Sequence, residues 1–244
     1  MWERYNKLMR LDHRKEKNMK RSKRYKSVKE KIDKSKVYSI DEAVDFLIEN
    51  AKVKFDESVE VHLRTNIDPK QADQLIRGSV VLPHGIGKEK KVAVFAEGDK
   101  AAEAKEAGAD LIGGEDLVGK IKQAKQTDFD VSVATPEMMK KLAGIAKILG
   151  PKGLMPSPKT DTVTIDIKKA VEQLKKGKIN FKNDDSGNVH QMIGKVSFGK
   201  DKLKENITAY VQAIRDARPS GVKGEFIKNV VATSTMGVGI KIGL

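Results

Sequence analysis

The chain has 244 residues, of which 39% are hydrophobic and only 5% aromatic, and its formal net charge at pH 7 is +14. It contains no cysteine, which excludes disulfides, thiolate metal sites and cysteine nucleophiles. No apolar run approaches the ~18 residues of a membrane span, and the basic N-terminus lacks the apolar stretch of a signal peptide. We therefore expect a cytoplasmic protein without a membrane partner.

The positive charge is concentrated near the N-terminus. Residues 1–36 hold 15 Lys/Arg and 5 Asp/Glu, whereas the other 208 residues hold 33 and 29. We therefore predict a basic arm over residues 1–26, which is either a solvated, partly helical segment or a phosphate contact. Met19 opens the run "MKRSKRYK", which leaves two interpretations open: residues 1–18 belong to the native protein, or they lie upstream of a natural start at Met19.

The first elements predicted after the arm mix helices with alternating strands. Ser39 and Glu42 have the spacing of a capping box, so "YSIDEAVDFLIEN" is predicted to be a helix. The alternation in "ESVEVHLRT" predicts a half-buried strand whose polar face is available to a partner. Asp68 and Pro69 are predicted to be the N-cap and first residue of a short helix, and "GSVVLPHGIG" is predicted to be a second strand.

The middle of the chain follows a different pattern. The run "KKVAVFAEG" is continuously apolar, as in a buried parallel strand, and "ADLIGG" and "FDVSVAT" predict two more strands. Helices are predicted between and after them, over "DKAAEAKEAG", "EDLVGKIKQA", "PEMMKKLAGIAKIL" and "IDIKKAVEQLKKG". This alternation of strand and helix is typical of a parallel sheet.

Alternating strands return in the last third of the chain. The segments "KINFKND" and "GNVHQMIGKVSF" are predicted strands joined by an Asp-Asp-Ser-Gly turn, followed by a long amphipathic helix and two further strands. We therefore predict a fold that is both α/β and α+β, with two domains. Residues 27–85 and 178–244 form a discontinuous α+β domain, and residues 86–177 form an inserted α/β domain. Gly85 and Gly177 are predicted to act as a hinge between them.

A nucleotide-binding enzyme built on residues 86–177 is the alternative that the strand–helix alternation raises. The turn "AEGDKAAEA" lacks the GxGxxG pattern, however, and no GxxxxGK[ST] pattern occurs in the chain. The chain has four histidines, and none of them are spaced as metal ligands on one helix or strand would be. They are His13, His62, His84 and His190. We therefore predict no catalytic residue, no metal site and no cofactor.

The segment "STMGVG" has the composition of an RNA contact. Ser234 and Thr235 offer hydroxyls, Met236 can pack on a sugar or base, and Gly237 permits close approach. An ordinary glycine turn between edge strands explains the segment equally well. Phe55, just before the first strand, either stacks on RNA or caps the core.

Several rare motifs occur in the same order as in a known family. They are "FDESVEVH", "IRGSVVLPHG", "EAGAD", "ILGPKGLMPSPK", "FKNDDSGNVH", "IGKVSF" and "STMG". Over residues 27–244 the chain closely resembles the family of bacterial large-subunit ribosomal protein number one. The resemblance implies a split α+β, sandwich-like RNA-binding domain with an inserted Rossmann-like domain, and it implies a structural protein and not an enzyme.

The resemblance also implies partners and contact residues. The expected partners are the side-stalk rRNA of the large ribosomal subunit, deacylated tRNA leaving the exit site, and the leader of the protein's own mRNA, whose translation it represses. The RNA-binding positions are Phe55, Ser58, Thr235, Met236 and Gly237, and further expected contacts are Lys54, Glu60, His190, Lys195 and Ser234.

Two positions depart from the family pattern. Val238 stands where proline commonly follows the Thr-Met-Gly triplet, which is expected to loosen the entry to the last strand and to leave an N–H able to pair in the sheet. Ser58 stands where threonine is often found, so the hydroxyl is kept and a methyl group is lost.

Overall fold

A computed structural model of the chain describes residues 21–33, 35–124 and 127–243. Residues 1–18, Met19 and most of the predicted arm lie outside the described residues. The helices are α1 (Lys23–Glu30), α2 (Ile40–Asn50), α3 (Asp99–Glu106), α4 (Glu115–Ala124), α5 (Met138–Leu142), α6 (Ala146–Leu149), α7 (Ile167–Lys175) and α8 (Lys200–Asp216). The strands are β1 (Ser58–Thr65), β2 (Arg77–Val81), β3 (Val92–Phe95), β4 (Leu111–Gly113), β5 (Val131–Ala134), β6 (Lys178–Lys182), β7 (Asn188–Lys195), β8 (Ile227–Ser234) and β9 (Ile240–Ile242).

The two ends of the chain share one antiparallel sheet. Its strands lie in the order β7-β1-β8-β9, so β1 pairs with two strands that are more than 120 residues away in sequence. As the alternation predicted, Val59, Val61 and Leu63 point into the core, and the side chains between them lie on the other face. That other face is open to solvent.

Helices α2 and α8 pack on the covered face of this sheet. The capping box predicted at the start of α2 is present, because Ser39 Oγ accepts from the backbone of Glu42 and the Glu42 carboxylate accepts from the backbone of Ser39. Helix α8 presents one apolar face to the core, as its spacing predicted. The buried residues of that face include Leu203, Ile207, Val211 and Ile214.

A second, two-stranded sheet packs on the same core. Strands β2 and β6 are antiparallel, and Gly78 lies opposite Phe181. A Cβ atom at Gly78 would come within 2.7 Å of the Phe181 ring, so the ring covers the position that glycine leaves open. The hydrophobic cluster around these strands draws its buried residues from 43–86 and 179–242 alone.

The middle of the chain builds a parallel sheet with a core on each face. Its strands lie in the order β4-β3-β5, and every residue of β3 is buried. Val92 and Val94 face a cluster formed with α3 and α7, whereas Ala93 and Phe95 face a cluster formed with α4, α5 and α6. Both clusters draw their buried residues from 92–174. The mixed α/β character predicted from the sequence is confirmed.

Three local predictions are wrong. The single helix predicted over residues 136–149 is divided by a 3-10 turn at Ala143–Ile145, where Gly144 has low helix propensity. Asp68 does not cap a helix, because its carboxylate accepts from the backbone of Lys70 and closes a turn. The residues 196–198 predicted to extend β7 form a 3-10 turn.

The turn predicted at residues 184–187 is present, but it does not make a hairpin of the strands on either side. Strand β6 pairs with β2, and β7 pairs with β1, so only an isolated bridge between Asn183 and Val189 joins the two segments. The backbone N–H of Gly187 donates to Asp184 O at 3.2 Å and closes the turn. The chain therefore passes from one sheet to another here.

The links at Gly85 and Gly177 touch each other. Both glycines have positive φ, at 64° and 109°, and a Cβ atom at Gly177 would collide with the Cα of Gly85. The fully buried Asn206 of α8 holds the first link, since its Oδ1 accepts from His84 N at 3.1 Å and its Nδ2 donates to Gly85 O at 2.9 Å. The chain therefore enters and leaves the segment between Gly85 and Gly177 at neighbouring backbone positions.

A polar bridge lies beside these links. The Asp161 carboxylate accepts from Ser79 Oγ of β2 at 3.1 Å and from Lys178 Nζ of β6 at 3.0 Å. The hydrogen bond from Lys178 holds the pKa of Asp161 below its ordinary value. The bridge joins the segment before α7 to the two-stranded sheet.

Candidate nucleic-acid interface

The predicted contact segments meet where β1 begins and β8 ends. Val59 lies opposite Ser234 in the sheet, and the backbone N–H of Thr235 donates to Ser58 O at 3.0 Å. The Ser58 N–H donates in turn to Thr235 Oγ1, also at 3.0 Å. The structure therefore brings together two segments that lie 177 residues apart in sequence.

We call residues 234–239 the recognition loop. Inside it the Gly237 N–H donates to Ser234 O at 3.0 Å, which closes a tight turn. A Cβ atom at Gly237 would collide with the Ser234 hydroxyl, so a larger residue here would force the Ser234 side chain to move. Ser234 is only 4% exposed, so its side chain faces the protein and offers little surface to a partner.

The backbone of Met236 is held on both sides. Its N–H donates to Glu57 Oε2 at 3.0 Å, and its carbonyl accepts from Arg24 Nη2 at 2.8 Å. Glu57 is 1% exposed, and its second oxygen has no hydrogen-bond partner among the described residues. Neither Glu57 nor Arg24 was predicted from the sequence, because neither stands out until the ends of the chain are paired.

The departure at Val238 has a packing explanation. Its side chain is 9% exposed and is anchored in the interior, so the loop is held on its C-terminal side without proline. The expectation that Val238 pairs through its N–H in the sheet is wrong, because β9 begins only at Ile240 and no backbone hydrogen bond from Val238 occurs in the described part of the chain.

Two large apolar side chains project into solvent at this place. Phe55 is 54% exposed and Met236 is 52% exposed, and they lie on the two segments that Ser58 and Thr235 join. Phe55 therefore does not cap the core, and stacking on RNA stays a prediction. An aromatic ring and a thioether offered together can stack on bases and pack on riboses.

The remaining predicted contacts surround the loop unequally. Lys195 lies opposite Ser58, with its Nζ 3.9 Å from the Asp56 carboxylate, and Lys54 is exposed just before Phe55. Glu60 lies on the open face of the sheet, two residues beyond Ser58. His190 lies opposite His62, which is about 13 Å beyond Ser58 along β1 at ~3.3 Å per residue.

His190 forms a pair with His62 on the open face of the sheet. Their Nδ1 atoms are 2.9 Å apart, and the ring centroids are 5.0 Å apart. Partial burial lowers the pKa of His62 below its ordinary value, His190 lowers it further, and the carboxylate of Glu60 only partly offsets this. This pair could not be predicted from the sequence, because it depends on the register of β1 against β7.

The carboxyl ends of the parallel strands, where a nucleotide would bind, are occupied by charged side chains. Lys141 Nζ lies 2.9 Å from Glu97 and 3.0 Å from Glu115, and the side chain of Glu97 fills the space beside Gly114. Two carboxylates around one ammonium group would repel a phosphate. No cluster of metal-binding residues and no helix long and apolar enough to cross a membrane occurs among the described residues.

Comparison with known proteins gives the family. A sequence profile described as the ribosomal protein L1p/L10e family matches residues 47–238. The chain belongs to this family. It is 52% identical to the large ribosomal subunit protein uL1 of Fervidobacterium nodosum over 225 residues, which cover 92% of this chain and 96% of the relative.

Two further relatives agree with this assignment. The uL1 proteins of Persephonella marina and of Mycoplasma capricolum subsp. capricolum are each 52% identical to the chain, and the matched regions cover 91% of it. They cover 93% and 97% of the relatives, respectively. The resemblance inferred from the motifs is confirmed, and the family is one of structural ribosomal proteins.

Proposed function

We propose that this protein binds the side-stalk rRNA of the large ribosomal subunit through the recognition loop and the start of β1. The observation that carries the proposal is a rigid backbone under outward-facing side chains: Thr235 is bonded to Ser58 in both directions, while Phe55 and Met236 project into solvent. A preformed surface loses little conformational entropy on binding, so it can discriminate RNA by shape.

The proposed contacts are Phe55, Ser58, Thr235, Met236 and Gly237, with Lys54 and Lys195 as neighbouring cations. Glu60 and His190 belong to the open face next to the loop, and they contact the same RNA where it extends along the sheet. The Thr235 hydroxyl acts mainly by fixing the loop, since it already bonds to the backbone of Ser58.

We also propose a domain organisation and two further roles for the protein. Residues 27–85 and 178–244 form the RNA-binding domain, residues 86–177 form a Rossmann-like inserted domain, and Gly85 and Gly177 act as the hinge. The separate hydrophobic clusters of these segments support this division. We further propose that the protein, on cytoplasmic ribosomes, assists release of tRNA from the exit site and represses translation of its own mRNA.

Sedimentation and crosslinking test the proposal together. The native protein should travel with the large subunit in a sucrose gradient, and ultraviolet crosslinks should join Phe55 or Met236 to side-stalk nucleotides. Equal competition by any polyanion of the same length would contradict recognition by shape. Tight binding of ATP, GTP or NAD to residues 86–177 would instead favour the nucleotide-binding enzyme, which the carboxylates of Glu97 and Glu115 disfavour.

A further inference from the structure

Helix α1 lies against the recognition loop. The Arg24 guanidinium reaches across 212 residues of sequence to the carbonyl of Met236, at 2.8 Å. Arg24, Tyr25 and Val28 are half-buried and share one face of the helix, whereas Lys23, Lys26 and Lys29 are exposed. The end of the predicted basic arm is therefore placed beside the proposed RNA contacts.

The placement of α1 depends on the body of the protein. The helix has eight residues and no fully buried side chain, and helices this short are marginal in water without tertiary contacts. Ser22 caps its start, and after its end Ile32 packs against the core and the Asp33 N–H donates to the Tyr38 hydroxyl at 3.1 Å. Arg24 is the contact that ties the helix to the loop.

The residues around the recognition loop include few cations to contact the phosphates of an RNA. The loop itself carries no charged side chain, and three carboxylates lie close to it, those of Asp56, Glu57 and Glu60. The neighbouring cations are Lys54 and Lys195, and the Nζ of Lys195 lies near the Asp56 carboxylate. In residues 21–31 the acidic side chain is Glu30, and the cationic ones are Arg21, Lys23, Arg24, Lys26, Lys29 and Lys31.

We propose that α1 is part of the RNA-binding surface, on the assumption that the loop binds RNA as proposed above. Lys23, Lys26 and Lys29 contact the phosphates of nucleotides that flank those held at the loop. Arg24 is a positioning residue that fixes the Met236 carbonyl and so the direction of the Met236 side chain. The ligand of this surface is the sugar–phosphate backbone of a folded RNA.

A charge-matched pair of variants tests the phosphate contacts. Lys23→Gln/Lys26→Gln/Lys29→Gln removes three charges from α1, and Lys168→Gln/Lys169→Gln/Lys176→Gln removes three exposed charges from and just after α7. Binding of a side-stalk rRNA fragment is measured from about 50 to 500 mM salt. The α1 variant should reduce the slope of log K against log salt by about 2 to 3, at roughly 0.9 for each lost phosphate contact, whereas the α7 variant should leave it unchanged.

The positioning role of Arg24 is tested with a separate pair of variants. Arg24→Ala should weaken binding about tenfold, the size of a lost hydrogen bond from a charged donor. This loss should persist at high salt, because it comes from the loop geometry, whereas the loss in the triple α1 variant should fade. Arg24→Lys, which keeps a charged donor, should recover part of the affinity.

The outcomes separate this inference from the proposed function. If wild-type protein does not bind the side-stalk fragment, the proposed function fails. If it binds and Met236→Asp weakens binding while the α1 variants do not, only the present inference is overturned. Equal effects of the two triple variants, or tighter binding after loss of the α1 charges, would also overturn it. Circular dichroism and urea unfolding confirm that each variant is folded.

Discussion

At the scale of single residues, Thr235 shapes the recognition loop and does not simply offer a hydroxyl. Its Oγ1 accepts from the Ser58 N–H at 3.0 Å and lies 3.3 Å from Ser58 O, to which it can donate. Thr235→Ala leaves the Ser58 N–H without this partner, so we expect a loss of RNA affinity on the order of 1–3 kcal/mol. Thr235→Ser keeps the hydroxyl and should retain most of the affinity. Equal dissociation constants for the two variants would contradict this role.

Met236 carries the most direct prediction about the contact. Its backbone is fixed by Glu57 and Arg24, so a substitution changes what the loop presents without removing those hydrogen bonds. Met236→Asp places an unpaired carboxylate against RNA, and we expect a cost of roughly 1–3 kcal/mol, about 5- to 150-fold in Kd. Met236→Leu keeps an apolar side chain of similar size and is the control. Isothermal calorimetry with the side-stalk fragment measures both, and an unchanged Kd for Met236→Asp would remove Met236 from the contact set.

The sequence predicted the segments of this site better than their internal contacts. The composition of residues 234–237 indicated an RNA contact, and the two segments do meet at Ser58. The burial of Ser234 and the roles of Glu57 and Arg24 could not be predicted, because each arises from chain segments that lie far apart in sequence. Periodicity and motif spacing describe only local structure.

At the scale of elements, predictions succeeded where the signal was local. The capping box of α2, the alternation in β1 and the apolar face of α8 each lie within one segment, and each is confirmed. The errors have two different causes. The helix predicted over residues 136–149 is divided at Gly144, whose low helix propensity the apolar spacing outweighed, and β6 and β7 do not form a hairpin because they pair with strands of different sheets.

The histidine pair between β1 and β7 makes protein stability depend on pH. The folded state lowers the pKa of His62, whereas the unfolded chain takes up the proton at its ordinary value of ~6.5. Between these two values the unfolded state binds more protons, so the free energy of unfolding falls as the pH is lowered through that range. The carboxylates of Glu60 and Asp184 lie near the pair, 3.8 Å from His62 Nε2 and 3.5 Å from His190 Nε2 respectively.

The prediction compares wild type with His62→Gln. Urea unfolding at pH 7.5 and pH 5.5 should show a larger loss of stability on acidification in the wild type than in the variant. Titrating groups that do not contact His62 are common to both proteins and cancel in the comparison. If the free energy of unfolding changed equally with pH in the two proteins, the folded state would not lower the pKa of His62.

At the scale of the whole molecule, the two glycine links differ in what they tolerate. A Cβ atom at Gly85 meets nothing closer than 3.6 Å, so Gly85→Ala carries mainly the cost of positive φ, about 1–2 kcal/mol. A Cβ atom at Gly177 collides with the backbone of Gly85, so Gly177→Ala must also move one link away from the other. We expect Gly177→Ala to lower the free energy of unfolding more than Gly85→Ala in denaturant titrations. The reverse order would show that the links separate easily.

The contact between the links also bears on how proteins of this design can change. Residues 86–176 depart from and rejoin the body at neighbouring backbone positions, so any segment whose own ends lie equally close could stand in their place. No strand of β7-β1-β8-β9 would need to shift its pairing to accept such a replacement. We therefore expect that lengthening, shortening or exchanging that middle portion leaves the pairing of these four strands unchanged.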